Sequence, residues 1–300
     1  MSPRECIVCG ATPASSFPVL YTRDRYTLVR CPSCSLVFLE PQPDAEQMAA
    51  AYYHDASFSD ALMGDLREIT LENAREKVGL LRDTGVLREG VRALDVGASS
   101  GAWVEVGAQH GLKITGVEVG QSTAAAARAR GLDIRTGTLA EVAPTLGDER
   151  FDLISFWDVL EHLPDPRSEL AIARGLLAPH GRLAVTFPNV GGLFPRVTYR
   201  LFARTTGVWE YPELPVHFYD FSTKTARRLL EGAGFAVEAQ RTFATPYTFY
   251  ENTALSADRI GDGRKAKALR VAHDAVHRVI YPIARMADAG NSQFAVARVA

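Results

Sequence analysis

From residue 91 onward, short apolar runs of strand length alternate with stretches that have the end signals of helices. The sequence predicts strands at 91–96, 113–119, 133–136, 151–156, 183–187, 235–242 and 293–298. It predicts helices at 101–110, 122–130, 168–177 and 222–234. Such alternation is typical of a parallel sheet covered by helices on both faces. We therefore predict an α/β fold with a seven-stranded, mostly parallel sheet.

The first ninety residues follow a different pattern. Residues 1–43 are rich in cysteine, proline and turn formers, with short β-like runs at 26–29 and 36–39. Helical stretches follow from Asp44, a residue type that caps helices, and over 65–81. The predicted organisation is an N-terminal module (1–43), a helical linker or lid (44–90) and a large α/β domain (91–300).

Two insertions interrupt the large domain. Residues 191–216 contain many aromatic and proline residues and no clear core strand, so we expect a loop-rich segment. Residues 243–291 contain a stretch with helical spacing. Its apolar positions are Leu269, Ala272, Val276, Val279 and Ile280, and its basic residues include Lys265, Lys267, Arg270 and Arg278. A helix of this kind either packs on its own domain or binds an anionic membrane or a partner.

The composition is that of a soluble globular protein. The chain has 300 residues, of which 47% are hydrophobic and 23% charged, and its formal net charge is −2. A bulk positive field that attracts nucleic acid is therefore absent, and we expect no nucleic-acid partner. The chain has neither a run of eighteen apolar residues nor a secretory signal pattern. We expect no transmembrane segment and a cytoplasmic location.

All four cysteines fall in the N-terminal module, as the pairs Cys6-x2-Cys9 and Cys31-x2-Cys34. Two such pairs supply four thiolates, the ligand set that holds Zn²⁺ in a tetrahedron. Without a secretory signal, this spacing favours a metal site over disulfides. An iron site and four unlinked structural cysteines are the alternatives. Because four protein ligands leave no open coordination position, we predict a structural zinc ribbon.

The strongest chemical signal in the large domain is the turn from its first strand into its first helix, Leu94-Asp95-Val96-Gly97-Ala98-Ser99-Ser100-Gly101. Glycines there let the backbone approach a ligand, and the helix N-terminus offers free N–H groups. Glu118 ends the next strand, where an acid can accept hydrogen bonds from both ribose hydroxyls. This pattern fits a dinucleotide or S-adenosylmethionine (SAM), and the absence of G-x-G-x-x-G favours SAM. The alternative is a tight turn with no ligand.

Several ordered motifs resemble those of the Rossmann-like SAM-dependent methyltransferases, and more narrowly the branch related to ubiquinone-biosynthesis O-methyltransferases. The matching stretches are 95–101, 118, 151–166, 183–189, 217–222 and 232–235. The resemblance covers about residues 70–242 and 292–300. It implies that the large domain is a Rossmann-like SAM-binding domain.

The resemblance also implies a set of cofactor-binding residues. They are Asp95, Gly97, Ala98, Ser99, Gly101, Glu118, Thr138, Leu139 and Trp157. Gly97, Ala98 and Gly101 would line the methionyl group, and Glu118 would hold the ribose. Thr138 and Leu139 would flank the adenine, and Trp157 would lie near the sulfonium. Ser99 departs from the family, which often has glycine there, and its hydroxyl would face the methionine end of SAM.

Two histidines are candidates for the base that a hydroxyl acceptor needs. His162 follows the fourth strand, at the sheet edge where ligands of open α/β sheets bind, and His217 precedes the helix at 222. The family often has histidine at both places. Each could instead have only a structural role. The remaining histidines are expected to be ordinary surface or helix residues: His54, His110, His180, His273 and His277.

Taken together, the sequence predicts a SAM-dependent methyltransferase for a small-molecule acceptor, a metabolite, sugar or natural-product intermediate, with transfer to oxygen. An aromatic group, Trp209, Tyr211, Phe218 and Tyr219, would either stack on that acceptor or form a local core. The alternative functions are methylation of RNA and a non-catalytic role as a SAM-binding or interaction protein. Similar ribbons precede both sugar and ribosomal RNA methyltransferase domains, so the ribbon does not distinguish these acceptors.

Overall fold

The computed structural model describes residues 5–44, 66–209, 211–244 and 264–300. Its strands are β1 (Val19–Arg23), β2 (Tyr26–Arg30), β3 (Val37–Leu39), β4 (Arg92–Val96), β5 (Lys113–Glu118), β6 (Ile134–Thr136), β7 (Phe151–Trp157), β8 (Leu177–Pro188), β9 (Tyr219–Asp220), β10 (Phe235–Phe243) and β11 (Ser292–Val299). The helix predicted to start at Asp44 falls on 45–65, outside the described residues, as do residues 245–263 of the second insertion.

The helices lie between these strands. They are α1 (Arg67–Arg82), α2 (Ala102–Gln109), α3 (Gln121–Ala129), α4 (Leu139–Val142), α5 (Pro166–Leu176), α6 (Leu193–Thr198), α7 (Arg204–Thr206), α8 (Thr223–Gly232) and α9 (Arg264–Met286). Short 3₁₀ segments cover Ala14–Ser16, Ala143–Leu146 and Leu160–His162, and a π-helical segment covers Tyr199–Ala203.

Seven strands form one sheet in the order β10-β11-β8-β7-β4-β5-β6. β4 pairs in parallel with β5 and β7, β5 pairs with β6, and β7 pairs with β8. The central strands are fully buried at Leu94, Ile154 and Leu183, as expected for parallel strands that are covered on both faces. The predicted seven-stranded, mostly parallel α/β sheet is therefore confirmed.

The described residues form two compact units. The larger unit takes in the described parts of Asp44–Thr186, Leu229–Ala239 and Ala295–Ala300. Within it, α1 buries Leu71, Ala74, Val78 and Leu81, which are spaced to lie on one helical face. Arg67 of α1 forms hydrogen bonds of 2.9 and 3.0 Å with the two carboxylate oxygens of Glu105 of α2. This pair links the two helices next to the turn that follows β4.

The smaller unit takes in the described parts of Met1–Pro43, Phe187–Arg228 and Gln240–Phe294. Its four-stranded sheet has the order β1-β2-β3-β9 and antiparallel pairing throughout. β3 pairs with β9 through Val37 opposite Asp220 and Phe38 opposite Tyr219. The cysteine-containing segment thus shares its sheet with residues that follow it by some 180 positions, a contact that no local pattern predicts.

One local expectation was wrong. The first insertion is not loop-rich, because 193–206 form α6, the π-helical segment and α7. α6 is stabilised by α9, since Phe194 packs in one cluster with Ile280 and Ala284. His273 and His277 are helix residues, as expected, and both are buried in α9: His273 stacks on Phe202 with ring centroids 3.9 Å apart, and His277 contacts Phe194.

Within the described part of the chain, no helix combines the length and the apolar character that crossing a bilayer requires.

Candidate cofactor site and metal centre

The turn between β4 and α2 adopts left-handed backbone conformations at alternate residues. Gly97, Ser99 and Gly101 have φ angles of 77°, 49° and 78°. A side chain at Gly97 would bring its Cβ within 2.6 Å of Val159 Cγ2, and one at Gly101 would come within 2.6 Å of Leu132 Cδ1. Both positions therefore require glycine. Ser99 adopts the conformation that the family's glycine would favour, so the departure noted in the sequence is accommodated in this loop.

Glu118, at the end of β5, stabilises this loop through a hydrogen bond to Ser99. One carboxylate oxygen accepts a hydrogen bond from the Ser99 N–H at 2.7 Å, and the other accepts one from the Gly120 N–H at 2.7 Å. Each oxygen keeps a further lone pair, so the carboxylate can still accept hydrogen bonds from a ligand. The side chain is partly buried at the carboxyl edge of the sheet.

Asp95, the last residue but one of β4, carries a buried carboxyl group in the same unit. Its Oδ1 accepts a hydrogen bond of 2.7 Å from the Ser155 hydroxyl of β7. Burial raises the pKa of this carboxyl to about 7, while the charge of Lys77 and the Ser155 hydrogen bond oppose the rise. A positively charged ligand group beside Asp95 would restore its ionised form.

Lys77 is a candidate site residue that the sequence analysis missed. It lies on α1, and its ammonium nitrogen is 5.3 Å from the ring centroid of Trp157. Burial lowers the pKa of Lys77, while the charges of Asp95 and Asp158 oppose the decrease. A signal was present in the sequence: Lys77 interrupts the apolar face of α1 between Ala74 and Leu81, where a charged residue is unexpected.

Trp157 ends β7 and is buried. Its ring meets the Trp103 ring edge to face, with centroids 5.4 Å apart. Asp158 follows with a φ of 55°, and its N–H donates a hydrogen bond of 2.9 Å to the Thr186 hydroxyl. These contacts fix the start of the loop that contains His162.

Thr138 and Leu139 lie at the start of α4, beyond β6. The Thr138 hydroxyl caps this helix and the Glu141 side chain reaches back to the Thr138 N–H at 2.8 Å, which completes a capping box. Leu139 is buried, whereas Thr138 is exposed. The N–H of the preceding Gly137 donates to the Glu118 carbonyl at 2.9 Å, so this segment adjoins the end of β5.

The two candidate bases belong to different units. His162 ends the 3₁₀ turn after β7 in the larger unit and is partly buried, and its N–H donates to the Val159 carbonyl at 3.0 Å. His217 is buried in the smaller unit. Its Nε2 lies 3.6 Å from a Glu213 carboxylate oxygen, and its Nδ1 lies 4.0 Å from Asp220 Oδ1.

Asp220 of β9 is buried, and neither of its carboxylate oxygens has a hydrogen-bond donor among the described residues. Burial raises the pKa of Asp220 to about 7, with a further contribution from the charge of Glu213. The sequence analysis did not single out this residue. Asp220 is therefore protonated and neutral below about pH 7, and it lies beside the imidazole of His217.

Two of the four aromatic residues that the sequence analysis grouped together belong to a hydrophobic core of the smaller unit. Trp209 and Tyr211 pack with Tyr21, Leu28, Val37 and Leu39 of the ribbon sheet. The Trp209 ring meets the Tyr21 ring at 5.6 Å, and its Nε1 donates to the Thr198 hydroxyl at 3.3 Å. This packing joins the first insertion to the cysteine-containing segment within the smaller unit.

The four cysteines come together as predicted. Each offers its sulfur within 4.8 Å of the other three, and the Cys6–Cys34 and Cys9–Cys31 sulfurs are 3.5 Å apart. A disulfide needs about 2.05 Å, so none is formed. Four thiolates around Zn²⁺, with Zn–S distances of about 2.3 Å, stand about 3.8 Å apart in a tetrahedron. The observed sulfur cluster fits that geometry.

Comparisons with known proteins bear on both units. A family model described as "Methyltransferase domain" matches residues 64–240. The Ubiquinone biosynthesis O-methyltransferase of Marinobacter nauticus is 31% identical over 133 residues, covering 42% of this chain and 52% of the relative. The enzyme of the same name from Stutzerimonas stutzeri is 30% identical, covering 34% of this chain and 46% of the relative. The chain thus spans about half the length of these curated relatives.

Solved structures support the same fold. A SAM-dependent methyltransferase from Archaeoglobus fulgidus superposes with a TM-score of 0.52 at 16% identity, covering 81% of this chain and 99% of that one. Magnesium protoporphyrin IX methyltransferase from Synechocystis PCC 6803, solved with bound SAH, superposes with a TM-score of 0.50 at 18% identity, covering 67% of this chain and 94% of that one. At these identities the likeness extends to the fold alone.

Proposed function

The chain belongs to the methyltransferase-domain family, and we propose that it transfers the methyl group of SAM to an oxygen atom of a small-molecule acceptor, a metabolite or sugar-type compound. Curated relatives named as O-methyltransferases support the choice of oxygen. The formal net charge of −2 argues against RNA as the acceptor, because RNA binding depends on basic surfaces.

The observation that supports the proposal is the set of polar side chains around the β4–α2 turn, which would match the polar parts of SAM. Glu118 would accept hydrogen bonds from the ribose hydroxyls, while keeping its bonds to the loop amides of Ser99 and Gly120. Lys77 would pair with the methionine carboxylate, and Asp95 with the methionine ammonium. The carboxylate and the ammonium of the methionine part would thereby each meet an opposite charge that the chain has already partly desolvated.

The remaining predicted cofactor residues would define the shape of the site. Gly97, Ala98 and Gly101 would allow the methionyl group to approach the backbone. Thr138 and Leu139 would flank the adenine, next to Glu118 through the Gly137 hydrogen bond. The Trp157 ring would lie near the sulfonium, where an aromatic face attracts a cation.

SAM supplies a methyl group that is already activated by its sulfonium, so the protein mainly aligns donor and acceptor. A hydroxyl acceptor must also lose a proton, and His162 or His217 would take it at an imidazole nitrogen. A neutral imidazole nitrogen without a hydrogen has the lone pair that accepts such a proton. Glu213 and Asp220 adjoin His217 and would stabilise the imidazolium that results.

The zinc ion would be structural. Its four protein ligands, Cys6, Cys9, Cys31 and Cys34, leave no position for water or acceptor, so it would contribute folding free energy to the smaller unit. No step of methyl transfer is assigned to it.

Transfer from SAM with a deuterated methyl group would test this function. The protein is incubated with phenol, catechol and sugar hydroxyl acceptors, and products are analysed by mass spectrometry for an O-linked deuterated methyl group. His162→Gln and His217→Gln are assayed in parallel, with His180→Gln as an exposed control. The variant of the true base should lose roughly 10²–10⁴-fold in kcat with SAM affinity nearly unchanged. Absence of SAM binding, or label found only on nitrogen or carbon, would contradict the proposal.

A further inference from the structure

Helix α9 has two apolar faces, and only one of them packs against other residues in the described part of the chain. Its inner face buries His273, His277, Ile280 and Ala284. Ile280 and Ala284 pack with Phe194 of α6, and the His277 ring lies 5.1 Å from the Phe194 ring. These contacts hold the helix on the smaller unit and leave its opposite side uncovered within the described residues.

The outer face is a continuous apolar stripe. Val271, Val279, Ile283 and Met286 are 60%, 65%, 50% and 90% exposed, and the exposed Ala275 lies between the first two. The steps along the helix are four, four, four and three residues, which keep these side chains on one face. At about 1.5 Å per residue the stripe is about 23 Å long.

This stripe is unusual for the molecule. Four of the eight exposed large apolar side chains in the described part of the chain belong to it. The others, Val19, Val119, Leu201 and Val299, lie on different elements. Single exposed apolar residues need no explanation, whereas a contiguous apolar row marks a surface that binds something.

The charge of α9 identifies the kind of partner. Over 264–286 the sequence contains six basic residues and one acidic residue, in a chain whose formal net charge is −2. Arg278 and Arg285 are exposed and, being seven residues apart, form a row along one side of the stripe. The side chains of 264–267 and of 270 lie outside the described residues. Aliphatic side chains flanked by cations complement a partner that has an apolar interior and anionic groups at its outer boundary.

We propose that the outer face of α9, centred on Val279 and Ile283, binds the surface of a membrane that contains anionic lipids, with the helix lying parallel to that surface. The apolar stripe would enter the boundary between headgroups and acyl chains, and Arg278 and Arg285 would pair with lipid phosphates. A second copy of this chain is a poorer partner, because it would bring two strongly basic helices together. A protein partner would have to offer a groove that matches an isolated helical ridge, whereas the fluid bilayer boundary adapts to the shape of the stripe.

Vesicle sedimentation of the full chain tests this proposal independently of the methyl acceptor. The protein should sediment with vesicles of phosphatidylcholine and phosphatidylglycerol in equal parts, should remain in the supernatant with phosphatidylcholine alone, and should dissociate at high salt. Arg278→Glu/Arg285→Glu should weaken partitioning by about fivefold or more for each charge changed. The matched control Arg88→Glu/Arg150→Glu changes net charge equally at exposed sites of the larger unit and should bind almost normally.

A second pair of variants tests the apolar stripe. Val279→Ser/Ile283→Ser should lose most vesicle binding, whereas Val19→Ser, an equally exposed valine on β1, should retain it. Circular dichroism and SAM affinity report folding and should be unchanged in all variants. Sedimentation with neither kind of vesicle, or equally with both, would overturn the proposal. So would a concentration-dependent doubling of mass in light scattering that Val279→Ser/Ile283→Ser abolishes, since a second copy would then cover this face.

Discussion

Glu118 accepts a hydrogen bond from the backbone N–H of Ser99 at 2.7 Å, across nineteen residues of chain. Its other carboxylate oxygen accepts from Gly120 at the same distance. Glu118, which the sequence predicts to bind the ribose, therefore also holds the conformation of the loop that is proposed to bind the methionyl group. The two halves of the cofactor site are joined through one side chain, so a change at Glu118 affects both.

We predict that Glu118→Ala weakens SAM binding at least tenfold, because it removes charged hydrogen bonds worth about 1.5–3 kcal/mol each and releases the loop. Isothermal titration calorimetry measures the change. Glu118→Gln keeps one acceptor oxygen and should lose less affinity than Glu118→Ala. Glu149→Ala, which removes an acid paired with Arg92, is the control. Equal affinities for all three variants and the unaltered protein would remove Glu118 from the site.

Lys77→Met should weaken SAM binding by about ten- to hundredfold, as expected for the loss of a charge-assisted hydrogen bond to the carboxylate. The same variant should bind decarboxylated SAM as well as the unaltered protein does, because that ligand lacks the group that Lys77 is proposed to hold. Arg75→Met, on the same helix and paired with Glu68, is the control. If Lys77→Met lost the same affinity for both ligands, Lys77 would act by offsetting the charge of Asp95 instead.

The sequence predicted the parts of this fold that depend on local pattern. The strands β4 to β7, the glycine turn and the two cysteine pairs are each encoded within a few neighbouring residues, and the structure has them where they were expected. β8 was placed correctly but starts earlier, at Leu177 instead of 183. Periodicity is a local signal, so it locates elements better than it locates their ends.

The missed features all depend on contacts between distant residues. Lys77 becomes a site candidate only because α1 brings it over the Trp157 ring. Residues 193–206 become helical because α9 covers them, and Phe38 meets Tyr219 only when the smaller unit has folded. Asp220 has a raised pKa because tertiary packing removes its water. Neither hydrophobic spacing nor motif matching contains this information.

Zinc should be present at one ion per chain, and its loss should loosen the smaller unit selectively. Because β3 pairs with β9, removing the metal by chelation or by Cys31→Ser should raise hydrogen exchange at 19–39 and also at Tyr219 and Asp220. The Leu39 N–H, which bonds the Phe218 carbonyl at 2.9 Å, is a direct reporter. Amides of β4 should keep their protection. Such sites contribute about 10–16 kcal/mol in zinc-finger peptides, so the effect should be large.

Metal analysis and Ser33→Ala complete this test. Ser33 lies between two ligands but is not one of them, so its variant should retain zinc and normal exchange. A metal-free protein with full protection at 19–39 would contradict a structural zinc site. Increased exchange throughout β4 as well would mean that the metal stabilises the whole chain and not the smaller unit alone.

Asp220 should make the protein less stable as pH rises from about 4 to about 7. Burial raises its pKa in the folded protein to about 7, from an ordinary value of 3.8, so the folded state holds up to one more proton than the unfolded state in this window. Stability therefore falls with rising pH until both states are ionised, and is then constant. Between about pH 5 and pH 8 the loss should be roughly 3 kcal/mol in the free energy of unfolding. Asp220→Asn cannot ionise and should lack this part of the pH dependence.

Urea unfolding of both proteins at about pH 5 and about pH 8 measures the difference. Other titrating groups, including Asp95, are present in both proteins, so their contributions cancel when the two pH profiles are subtracted. Asp220→Asn should be more stable than the unaltered protein at the higher pH, because it removes a buried charge that lacks a hydrogen-bond donor among the described residues. Asp148→Asn, at an exposed site, should follow the unaltered protein at both pH values. Parallel profiles for Asp220→Asn and the unaltered protein would mean that Asp220 has an ordinary pKa in the folded protein. Asp220 would then be a carboxylate beside His217 at both pH values.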